Sequence, residues 1–156
     1  GVDSLRYFWK ARTPDGFAAD LDRLLRFYAQ HWDKRRALVI GYSQGADVLP
    51  FALNRLSPEA SALVERSVLL APAEMAAFQF HLTSWIGGNS GDLPVKPEIE
   101  RLDLGRVACI YGREESDESP CATLAAGARV TELPGGHHFN GAYTELVRQI
   151  TAGLTW

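Results

Sequence analysis

A serine between two glycines, Gly41-Tyr42-Ser43-Gln44-Gly45, directly follows the apolar run Ala37-Leu38-Val39-Ile40. A second apolar stretch comes after it: Val48, Leu49, Phe51, Ala52, Leu53 and Leu56. Strand, sharp turn and helix in that order lift a hydroxyl above a sheet edge and aim the first helical amides at it. Such a hydroxyl can attack a carbonyl carbon, and the amide of Gln44 can stabilise the oxyanion that forms. The flanking glycines fit this reading, because side chains there would collide with the neighbouring strand and helix. Ser43 is the candidate nucleophile; a merely structural turn is the alternative.

A serine hydroxyl needs a base to take its proton. His31 stands beside Trp32 at the end of a helical pattern and reads as surface or packing, and His81, within Phe-Gln-Phe-His-Leu, reads as a core histidine. His137 and His138 follow Leu133-Pro134-Gly135-Gly136 near the end of the chain. The order serine, acid, histidine, as in α/β-hydrolases, puts the base in a loop after the last strand. His137 is therefore the expected base, with His138 as the alternative. The acid is expected after the strand Val107–Tyr111, in a loop offering Glu114, Glu115, Asp117 and Glu118. Asp117, three residues before Pro120, is the favoured acid and Glu115 the alternative; its task would be to hold the histidine's tautomer.

The elements that must position these groups alternate along the chain. Thr13-Pro14 opens an amphipathic helix carrying Phe17, Leu21, Leu24, Leu25 and Tyr28. Short apolar runs at 37–40, 68–71, 107–111 and 129–133 read as strands, and Tyr143, Leu146, Val147 and Ile150 mark a closing helix. This predicts one α/β domain over residues 1–156, a mostly parallel sheet flanked by helices. Residues 72–106, with Phe78, Phe80, Trp85 and the Gly-Gly-Asn-Ser-Gly cluster, suggest a cap-like excursion. A net charge of −3 with no basic stripe argues against nucleic-acid binding. No metal spacing, dinucleotide fingerprint or phosphate loop is present, so no cofactor is expected. Cys109 and Cys121 would close a short loop if bridged, in an oxidising compartment, or would be free thiols in the cytosol. A bridge would pin the acid loop to its own strand.

Taken together, Gly1-Val-Asp-Ser-Leu-Arg-Tyr-Phe-Trp9, Arg12-Thr-Pro14, Gly41-Tyr-Ser-Gln-Gly-Ala-Asp-Val-Leu-Pro50, Cys109-Ile-Tyr-Gly-Arg-Glu-Glu115 and Leu133-Pro-Gly-Gly-His-His-Phe139 resemble the VirJ/AcvB family. These are bacterial virulence-associated, α/β-hydrolase-like proteins, and the resemblance runs from end to end. It implies a periplasmic protein, a disulfide between Cys109 and Cys121, Ser43 as the lipase-type serine and His137 as its base. It also implies hydrolysis of aminoacyl-phosphatidylglycerol, releasing lysine or alanine at the membrane surface, and a link to type IV secretion proteins as partners. The family's N-terminal strands and Gly-rich oxyanion loop have no counterpart before Gly1. The expected domain is therefore the C-terminal part of an α/β-hydrolase-like fold, with a bare sheet edge and a missing N-terminal segment as partner.

A lysyl or alanyl ammonium calls for a carboxylate or an aromatic face. Asp3, Asp47, Glu114 and Tyr42 are the candidates, while Trp9, Phe78 and Trp85 are candidates to line a lipid-facing edge. Two other functions fit the same residues: a periplasmic binding or secretion-accessory protein that does not use the triad, and a generic carboxylesterase or thioesterase.

Overall fold

The computed structural model describes residues 1–79 and 92–154. The expectations for Phe80, His81 and Trp85 fall outside these residues. Four strands, β1 (Ala37–Tyr42), β2 (Val64–Leu70), β5 (Val107–Gly112) and β6 (Arg129–Leu133), form a fully parallel sheet in the order β1-β2-β5-β6. A second, antiparallel ladder joins β3 (Met75–Ala76) to β4 (Leu93–Pro94). The helices are α1 (Ser4–Tyr7), α2 (Pro14–His31), α3 (Gln44–Leu53), α4 (Pro58–Leu63), α5 (Val95–Glu100) and α6 (Tyr143–Thr151).

Side chains on successive strand residues point to opposite faces, and both faces of this sheet are covered. Leu69, Val107, Cys109 and Tyr111 share one cluster with Val48, Leu49 and Phe51 of α3 and Ile99 of α5. Val68, Leu70, Ala108, Ile110 and Leu133 form the other, closed by Phe139 and by Leu146 and Ile150 of α6. Helix α2 begins as expected, with Thr13 accepting from the Gly16 N–H at 3.0 Å and Pro14 in its first turn. Its Asp22 carboxylate accepts from the Ser57 N–H at 2.8 Å and so ties α2 to the start of α4. His31, at its end, stacks on Phe27.

Four expectations need correction. The helix after Ser43 stops at Leu53, short of Leu56, and Pro50 lies inside it. The strand expected from Val68 starts at Val64, and Ala71 stands beyond its end with φ 48°. From Val95 onward, the expected excursion is instead a sheet-covering crossover: Val95 and Ile99 of α5 are fully buried against the α3 layer. Phe78, expected at a lipid-facing edge, is buried among Phe8, Phe17 and Phe51 with ring centroids 5.5–6.5 Å away.

β1 stands at one margin of the sheet with β2 as its sole strand partner among the described residues. Ile40 and Tyr42 are 49% and 42% exposed. Beside it runs an apolar groove of about 770 Å³ between β1, α2 and α3, lined by Leu21, Leu25, Tyr28, Val39 and Val48. Among the described residues this edge of the sheet carries no further strand.

Candidate active site

Ser43 follows β1 and caps α3 with φ 54° and ψ −127°, a left-handed conformation that costs a non-glycine residue about 1–3 kcal/mol. The surroundings hold it there. Its N–H donates to the Leu70 carbonyl at 2.9 Å, and its own carbonyl accepts from Ala46 and Asp47 at 2.7 and 3.1 Å. A Cβ on Gly41 would lie 2.4 Å from the Gly45 carbonyl oxygen, so the turn closes only over a glycine at position 41. Gly45 departs from the sequence expectation: a Cβ there would meet nothing within 4 Å. The difference is spatial, because Gly45 borders the open groove beside β1.

The serine and histidine come from the two outermost strands, the serine after β1 and the histidine in the loop after β6. His137 Nε2 lies 2.8 Å from Ser43 Oγ, and His137 Nδ1 lies 2.9 Å from Glu115 Oε1. This is the nucleophile–base–orienting-acid arrangement that makes a serine hydroxyl reactive. With Glu115 holding the Nδ1–H, Nε2 keeps its lone pair for the serine proton.

Of the two carboxylates expected at the histidine, the structure brings Glu115, the alternative, against His137, and not the favoured Asp117. The chain leaves β5 at Gly112 and turns at once into a 3₁₀ turn, Arg113–Glu115, which brings its third residue to the histidine. Asp117 lies two residues further on, where it lines a different cavity together with Lys96, Ser116 and Pro120. The acid and histidine loops are nested: Glu114 N–H donates to the Gly135 carbonyl at 3.1 Å, and a Cβ on Gly112 would lie 2.4 Å from the Gly136 carbonyl oxygen. Cys109 and Cys121 are disulfide-bonded, with Cα atoms 5.6 Å apart, so the acid loop is closed covalently onto β5.

The Gln44 N–H, the expected oxyanion donor, opens α3 and has no acceptor among the described residues. Its side chain donates from Nε2 to the Ala77 carbonyl at 3.2 Å, joining the turn to the segment after β2.

The expected substrate-binding residues separate. Tyr42 lies at the site, its ring centroid 5.4 Å from that of His137. Asp47 is engaged inside the fold: it is buried, and its carboxylate accepts from the Ala73 N–H at 2.7 Å. Burial pushes its pKa up to about 7, partly offset by that hydrogen bond. Asp3 caps α1 by accepting from the Arg6 N–H and has no bond to the triad. Glu114 packs its carboxylate toward Gly136 in the histidine loop. Among the described residues no cluster of three or more His, Cys, Asp or Glu side chains could hold a metal ion, and no helix is long and apolar enough to cross a membrane.

Sequence reasoning gave no structural role to His138, whose Nδ1 lies 2.7 Å from the Tyr42 hydroxyl. The signal was present only as two adjacent histidines, which do not reveal that a tyrosine 96 residues earlier meets the second one.

No curated protein matches this chain. Among solved structures it is similar to the protein Atu2452 of unknown function from Agrobacterium tumefaciens str. C58. That similarity has 21% identity and a TM-score of 0.50 over 95% of this chain and 70% of the other, and it speaks for the α/β fold alone. A family model described as bacterial virulence protein (VirJ) matches residues 1–155, so the chain belongs to the VirJ family.

Proposed function

We propose that the protein is a serine hydrolase of the α/β-hydrolase type, with aminoacyl-phosphatidylglycerol as substrate. The observation that carries this reading is the continuous contact Glu115–His137–Ser43 on a strained turn at a helix N-terminus. Ser43 Oγ attacks the aminoacyl ester carbonyl while His137 Nε2 takes its proton. The Gln44 N–H stabilises the oxyanion. His137 returns the proton to the departing glycerol oxygen, and a water activated by the same nitrogen then releases the amino acid. Of the residues considered for the substrate ammonium, Asp47 and Asp3 are engaged within the fold, by the Ala73 N–H and as the cap of α1.

The VirJ family and the Cys109–Cys121 disulfide are consistent with an extracytoplasmic location. The proposed compartment is the periplasm, where the substrate headgroup is met at the membrane surface. The groove beside β1 would accept a strand-bearing segment completing the sheet and supplying a second oxyanion donor; absence of such a donor costs about 10²–10³ in rate. The same groove favours a second reading, a virulence or secretion accessory protein that uses this face for binding and leaves the triad idle.

Reaction with a fluorophosphonate, followed by peptide mapping, separates the two. The hydrolase reading expects one adduct on Ser43, lost in Ser43→Ala. Labelling should fall by about 10³-fold or more in His137→Ala and Glu115→Gln and stay unchanged in Asp117→Asn. Release of lysine or alanine from vesicles containing the aminoacyl lipid then tests the substrate. A folded chain that takes no label favours the binding reading.

A further inference from the structure

Tyr42 stands between Gly41 and Ser43, at the end of the exposed strand β1. Its hydroxyl reaches the opposite side of the sheet: Oη lies 3.1 Å from the His137 carbonyl oxygen and 2.7 Å from His138 Nδ1. A phenol has one proton to give, and a carbonyl can only accept. Both bonds form together only if Tyr42 donates to the His137 carbonyl and His138 donates from Nδ1 to the Tyr42 oxygen. The direction of the chain is thus fixed as His138 Nδ1–H to Tyr42 Oη–H to the His137 carbonyl. Burial and the nearby Glu115 charge raise the Tyr42 pKa, so the hydroxyl keeps that proton.

The sheet order explains what this chain holds. β1, which carries the serine, and β6, which precedes the histidine, are separated by β2 and β5. Glu115 fixes the far nitrogen of the His137 ring, while the Tyr42 bond fixes the His137 backbone to the strand that ends in the nucleophile. We propose that Tyr42 is a positioning residue, locked by His138, that sets the distance between His137 Nε2 and Ser43 Oγ. This rests on the reading of Ser43 and His137 as nucleophile and base. It gives the Tyr42 hydroxyl a role independent of any substrate ammonium.

The test is Tyr42→Phe, which keeps the ring and removes one oxygen from an exposed side chain, beside His138→Ala and the double variant. Two readouts are followed on folded protein: the rate of Ser43 labelling by an uncharged fluorophosphonate, and the downfield proton resonance of His137 Nδ1–H. Labelling is expected to fall about 10–100-fold in Tyr42→Phe, the range that small misplacements of reacting groups produce. The resonance should shift or broaden. His138→Ala should lose less in the same direction, and the double variant should lose no more than Tyr42→Phe, because the two act in one chain. Wild-type labelling with an unmoved resonance in Tyr42→Phe overturns the proposal. So does a defect confined to KM for an aminoacyl ester, which would make Tyr42 a substrate contact. If the wild type takes no label, the nucleophile reading fails separately, and the resonance alone decides whether Tyr42 orders His137.

Discussion

β5 is buried at all six of its positions and leads into Glu115, whereas β1, at the sheet margin, leaves Ile40 and Tyr42 half in solvent and leads into Ser43. The acid side is braced by a disulfide, by the nested Gly112 and Gly136 backbones and by neighbours on both sides of β5. On the nucleophile side β1 has one neighbouring strand among the described residues, and the Ser43 backbone is held by the Leu70 carbonyl and the first turn of α3. Preorganisation is therefore concentrated where the histidine is oriented. Strain is concentrated where the serine sits, next to an apolar surface that a further chain segment could cover.

The comparison is broken most sharply by paired truncations. Ile110→Ala, in the fully buried β5, is expected to cost about 2–5 kcal/mol in chemical denaturation. Ile40→Ala on the exposed edge should stay within about 0.5 kcal/mol of wild type. If Ile40→Ala costs as much as Ile110→Ala, β1 is already covered in solution and the contrast between the two sides collapses.

Removing the covalent brace comes next. The Cys109→Ser/Cys121→Ser double variant should lose roughly 3 kcal/mol of stability on the loop-entropy model. Fluorophosphonate labelling should slow as the Glu115 loop loosens, measured at a temperature where both proteins are folded. Full labelling at reduced stability would show that loop nesting alone keeps Glu115 on His137.

The smallest effect concerns Asp47, on the nucleophile side. Its folded pKa of about 7 lies above the ordinary 3.8, so the folded state holds the proton more tightly than the unfolded chain. The resulting stability is complete below pH 3.8 and is lost as pH rises toward 7. Asp47→Asn keeps an oxygen for the Ala73 N–H and cannot ionise. It should match wild type near pH 4 and exceed it at pH 8, the gap widening by about 2 kcal/mol between pH 5 and 8. Parallel pH–stability curves for the two proteins would show that this carboxylate is not desolvated as described.

The pairing of Ser43 with His137 was legible because its signals are local: glycine spacing around Ser43 and a histidine in the loop after the final apolar run. The parallel sheet was legible in the same way, since buried parallel strands stand out as short apolar runs between helical patterns. The start of β2 was hidden because Glu65, Arg66 and Ser67 interrupt its apolar character. Helix α5 was hidden because only Val95 and Ile99 mark its buried face within a proline-containing stretch.

The acid shows the limit most clearly. Sequence placed it in the loop after β5 and supplied several carboxylates; which one meets His137 depends on a single 3₁₀ turn, and two residues of phase separate Glu115 from Asp117. The fate of Asp47 likewise follows from packing against the segment after β2, and that of Tyr42 from a histidine brought over from β6. Composition and periodicity determined which elements form and which residue types carry the chemistry, because strand, helix and turn preferences act over a few neighbouring residues. Tertiary structure alone decided which carboxylate is the partner, which is buried and which side of the sheet stays open, because those depend on distances between residues far apart in the chain.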